Sequence, residues 1–130
     1  MLKFIARLFQ GSMDIERTYG NCDRAISLLQ SYNEDPDGFS EKKKTDMNET
    51  VELAIQEATN LINMEGERNW IGVFREMHLN LASIHLELGN REKVDHHCQK
   101  LANYGEPGRL DAEEVLEKLN STQSSTVSMV

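Results

Sequence analysis

Four histidines, His78, His85, His96 and His97, lie close together beside Cys98. Imidazole and thiolate are the usual ligands of zinc, and a helical site takes two ligands from adjacent turns of one face. His78 and His85 are instead two turns apart, and no HxxxH or HxxH pair occurs. No metal and no other cofactor is expected, and the histidines read as partly exposed helix residues. The acidic pairs Glu65/Glu67 and Glu113/Glu114 have no nucleophile or base set beside them in sequence. Glu114 lies three residues after Asp111, the spacing of a capping box, and the others read as a solvated face. There is neither a glycine-rich phosphate loop nor a nucleophile elbow. The chain is therefore not expected to be an enzyme.

A formal net charge of −8 disfavours direct nucleic-acid binding, which rewards released counterions only on basic surfaces. Acidity suits solubility, a basic partner, or imitation of a nucleic acid on another protein's basic site. Lys42-Lys43-Lys44 is a short basic run within a solvated loop or helix start. Cys22 and Cys98 fall inside apolar stripes with no CxxC spacing, so buried thiols in a reducing, cytoplasmic setting are expected. The stretch 2–9 is apolar but broken by Lys3 and Arg7 and too short to span a bilayer, so no stable membrane insertion is expected. It reads as an amphipathic helix that caps the core.

The elements that must position these residues are all helical. Ile15, Tyr19, Cys22, Ile26 and Leu29 recur at alternating spacings of four and three, one face of a helix starting after Ser12. Gly20 either costs that helix about 1 kcal/mol or marks a turn. A loop over 33–45 follows, then a helix from Asp46 or Asn48 carrying Val51, Ala54, Ala58 and Leu61. The next helix has one apolar face through Trp70, Phe74, Met77, Leu81, Ile84 and Leu88, and a second through Ile71, Leu79, Ala82 and Leu86. A helix apolar on two sides is sandwiched between neighbours, so this one should be central. Gly89 ends it in the left-handed conformation glycine adopts cheaply. Val94, Cys98 and Leu101 mark a fifth helix, and a short sixth starts at Asp111. Residues 120–130 show no periodicity and read as a disordered Ser/Thr-rich tail behind a single domain over 1–119. No run alternates with period two.

Two segments can be superposed: Gly20-Asn21-Cys22-Asp23-Arg24-Ala25 and Gly89-Asn90-Arg91-Glu92-Lys93-Val94. A weaker echo places Ala54 between Ala25 and Val94, giving intervals of roughly 30 to 40 residues, the range of stacked helix pairs. The run from Asn80 to Val94, with Leu81, Ala82, Gly89, Asn90 and Val94 at matching positions, resembles a tetratricopeptide repeat. Arg91 and His85 stand where that family often has aromatics. The resemblance implies an all-α fold of five or six helices, antiparallel hairpins stacked as a short right-handed array. It also implies a protein-binding adaptor or regulator whose groove takes Glu76, Leu79, Ser83, Leu86 and Glu87. That mixture of apolar and acidic groups suits a basic or amphipathic segment of another protein. Only Asn80 matches the carboxylate clamp of the chaperone-tail-binding members, so their function is not expected. The alternative is an acidic inhibitor or nucleic-acid-mimicking decoy, and self-association is one way to cover the ends of so short an array.

Overall fold

The structure, a computed structural model, describes residues 2–128, with side chains over residues 14–121. Its described residues form five helices and no strand: α1 (Leu2–Glu34), α2 (Glu41–Ile62), α3 (Ile71–Leu88), α4 (Arg91–Ala102) and α5 (Gly105–Ser128). Each join between helices has a local chemical cause. Pro36, Asp37 and Gly38 form one 3-10 turn after α1, and Phe39 then turns inward, edge-on to Tyr32 at 5.3 Å. The Ser40 hydroxyl accepts from the Lys43 amide at 3.1 Å and caps α2, which starts at Glu41 rather than at Asp46 or Asn48. Gly66, at φ 92°, turns the chain from α2 towards α3. At the end of α3, Gly89 takes φ 75° and the Asn90 amide reaches back to the His85 carbonyl at 2.9 Å, a Schellman closure. Asn90 then accepts from the Lys93 amide and caps α4.

Three expectations change. The first two predicted helices are one: α1 continues through Gly11 and Gly20 with no proline beside either glycine, and Ser12, expected to start a second helix, lies inside it. The expected packing of 2–9 as a cap concerns side chains outside the described ones. The last helix begins at Gly105 rather than Asp111, since Pro107 sits in its first turn, where a missing amide proton costs nothing. It continues past Asn120 to Ser128, in place of the irregular tail, with no glycine or proline after Gly108 to stop it. Met129 and Val130 lie outside the described residues.

Packing follows a two-layer rule. α3 touches all four other helices, α1 pairs with α2, and α4 pairs with α5, while α2 and α4 do not meet among the described residues. Thus α1, α3 and α5 form one layer and α2 and α4 the other. α3 supplies Met77, Leu81 and Ile84 to a core shared with α1 and α2. Its opposite face gives Ala82, flanked by Leu79 and Leu86, to a second core with α4 and α5. The central position expected from two apolar faces is what the helix occupies. Leu88 and Ile71, expected on those faces, are exposed at the helix ends, and Trp70 is only half-buried, against Phe74 and beneath Arg68. Cys22 and Cys98 are buried thiols, one in each core.

Two glycines make opposite predictions. Gly20 is exposed in mid-helix with nothing near the position of an added Cβ, so Gly20→Ala should raise stability by about 1 kcal/mol. Gly108 faces the end of α4, where an added Cβ would lie 2.1 Å from the Leu101 carbonyl oxygen. Gly108→Ala must push α5 off α4 and should cost about 1–3 kcal/mol. Urea denaturation of the two variants reads both signs.

Candidate functional site

The C-terminal end of α3 lies open between α1 and α5. A groove of about 860 Å³ is lined by Asn33 of α1, Leu86 to Gly89 at the end of α3, and Glu114, Glu117, Lys118 and Ser121 of α5. A smaller groove of about 250 Å³ continues from it, sharing Asn33, Glu87 and Leu88 and reaching Tyr32, Lys44 and Met47. Together they form one trough across α2, α1, α3 and α5. Leu88 contributes its apolar surface, at 47% exposure. Asn33 crosses the middle, its side-chain amide donating to the Glu87 carbonyl at 2.9 Å and to the Glu87 carboxylate at 3.0 Å.

The electrostatics of the trough favour a cation. Glu87, Glu114 and Glu117 outnumber the single cation of the larger groove, Lys118, which lies 3.6 Å from Glu114. The last carbonyls of α3 add the negative end of a helix dipole. Of the residues predicted from sequence, Leu86 and Glu87 line this trough. Leu86 is half-buried, as is Leu79, and both pack against the core between α3, α4 and α5. Glu76 is exposed on the other half of α3, bonded to the Tyr19 hydroxyl, which both burial and that bond push above its ordinary range. Ser83 is half-buried and lines neither groove. Asn33 and Glu117 were not singled out in sequence, while Glu114 was read as a helix cap and Leu88 as part of a core stripe. Only Leu88, a large apolar residue immediately before a helix-ending glycine, carried a local signal.

The histidines form a second, interior feature. Three of them are buried, His78, His85 and His97, and not partly exposed as the sequence suggested. The reason is that α3 packs on both faces, so polar residues between its apolar stripes are covered as well. His78 Nδ1 and His97 Nδ1 are 3.1 Å apart, and His78 Nε2 is 2.8 Å from Glu65 Oε1. The other Glu65 oxygen accepts from the Tyr104 hydroxyl. The ring of His85 stacks on His97 at 6.0 Å, and His96, exposed, meets its edge. Burial holds the His97 imidazole down to about 3, helped by His78, His96, His85 and Lys93. Burial lowers His78 and His85 too, although Glu65 opposes the shift at His78. Burial alone would raise the Glu65 carboxyl; the bonds from Tyr104 and His78 outweigh it and hold the group below its usual range. Among the described residues no three histidine, cysteine or carboxylate groups converge to hold a metal ion.

A third polar cluster joins α1 to α2. Glu57, nearly buried, accepts from Arg17 with one oxygen and from Asn21 with the other, and Arg17 also reaches Asp14. Its carboxylate is satisfied on both sides, which is what permits its burial in a helical interface.

Asn33→Ala should cost up to about 1 kcal/mol, because it removes a solvent-accessible tie between α1 and the end of α3 without opening a cavity. Chemical denaturation measures the loss, and a larger effect would mean that this tie organises more than the trough.

No helix among the described residues is long and apolar enough to cross a membrane. Comparison of the chain with protein-family models, with curated proteins and with solved structures gave no match.

Proposed function

We propose that this protein is an adaptor or regulator that binds another protein through the trough at the C-terminal end of α3. The observation that carries this reading is the combination at one place of exposed Leu88, the open end of a helix, and Glu87, Glu114 and Glu117. Apolar surface ringed by carboxylates suits a segment that presents an apolar side chain with lysine or arginine nearby. The contact order of the helices supports a tetratricopeptide-like reading of the array. Odd-numbered helices line one layer, even-numbered helices back them, and the trough opens across the odd-numbered row.

The test must avoid the half-buried leucines. Changing Leu79 and Leu86 to glutamate would place charge in the second core and unfold it. Leu88 and Leu53 are each 47% exposed, on different faces, and make a matched pair. A photo-crosslinking residue at position 88 should capture a partner from the native host's lysate, and one at position 53 should not. Binding of the recovered partner to the native protein should weaken with added salt, and at low salt it should weaken at least tenfold, about 1.4 kcal/mol, in Glu114→Lys with Glu117→Lys. Equal capture at both positions, or binding indifferent to the charge reversal, would place the site elsewhere.

A further inference from the structure

The hydrogen bonds that run through His78 have a direction, and the direction leaves no place for an added proton. The Glu65 carboxylate can only accept, so it takes the Nε2 proton of His78 and the hydroxyl proton of Tyr104. A neutral imidazole has one N–H, which makes His78 Nδ1 a bare acceptor. The donor across the 3.1 Å contact is then His97 Nδ1. Each ring is neutral and held in one tautomer. A proton added to His78 would set two N–H groups against each other. One added to His97 would put a charge among buried side chains. The groups that act on the pair are Glu65 from the α2–α3 turn, His85 from α3, and Lys93, His96 and Lys100 from α4. All of these on α3 and α4 that carry or can carry charge are cations, so only Glu65 favours protonation.

The four linked groups come from four different segments: the turn after α2, α3, α4, and the turn before α5. We propose that Glu65, His78, His97 and Tyr104 form a proton-operated latch, fastening α4 and the α2–α3 turn to α3 while neutral and releasing them on proton uptake. A histidine in an unfolded or opened segment titrates near 6.5, whereas burial holds His97 to about 3 in the closed form. The opened state therefore binds more protons between these values. The latch is at full strength above pH 6.5 and weakens as pH falls from there towards 3. α5 packs chiefly on α4, so release would also move the α5 wall of the trough. That last consequence rests on the function proposed above; the latch itself does not.

Two measurements on the whole chain test it. Imidazole nitrogen NMR at pH 7.5 should find His97 protonated only at Nδ1 and His78 only at Nε2; the opposite tautomers, or an imidazolium, would overturn the proposal. Amide hydrogen exchange from pH 7.5 to 5.5, corrected for intrinsic rates, should show α4 opening rise about tenfold per pH unit below 6.5 for each proton taken up. Protection in α1 and α2 should change less; loss in step with α4 would mean simple global acid unfolding and no latch. His97→Asn keeps a donor near Nδ1 but does not titrate, and should reduce that slope by one factor of ten per unit. An unchanged slope sinks the assignment to His97, and if the variant does not fold, the two measurements on the native chain still decide.

Discussion

A helix with apolar side chains on two faces can be stable in water only if both are covered, and α3 is that helix. Met77, Leu81 and Ile84 require a partner on one side, and Ala82 with Leu79 and Leu86 requires another. Among the described side chains, the α1–α2 pair packs on one face of α3 and the α4–α5 pair on the other. The result is an array whose two cores are separated by one helix. Burial of apolar area supplies the drive, and the Schellman closure at Gly89 sets where α4 must begin.

Covering both faces of α3 has a polar consequence. Residues lying between the two stripes are enclosed whether or not they are apolar, and His78 and His85 lie there. An enclosed imidazole must find hydrogen-bond partners or remain costly. His78 finds them on both sides, in Glu65 and His97, and so becomes the link between the turn before α3 and the helix after it. Glu57 solves the same problem between α1 and α2 with Arg17 and Asn21. In both cases a buried polar group is bonded at each of its available atoms, which ties helices in one register as well as in one pairing. His85 differs, since its Nδ1 is buried without a partner.

Where α3 ends, its coverage ends too. Leu88 follows the periodicity of the core stripe, yet it is exposed at the end of α3, in the groove that Asn33 of α1 and Glu114, Glu117, Lys118 and Ser121 of α5 line. The sequence pattern could place Leu86 and Glu87 on an outward part of α3, but it could not say which neighbouring helices would face them. Asn33, Glu114 and Glu117 come from segments far apart in the chain. Their meeting at one trough depends on the lengths of α1 and α5 and on how both lean on α3, and no spacing within a single helix encodes that.

Local order was legible from the residues themselves. The helical class, the central rank of α3, the stop at Gly89 and the buried state of both cysteines follow from periodicities and caps that act within a few turns. Helix boundaries near glycine and proline were less so. Gly20 is compatible with both a helix and a turn, and Pro107 with both a helix start and a break, so the rest of the chain decides between them. The buried histidine chain was decided only by tertiary structure. Hydrogen bonding between His78, His97, Glu65 and Tyr104 requires two helices and two turns to be in place first, and a lone histidine in sequence carries no sign of whether it will be covered.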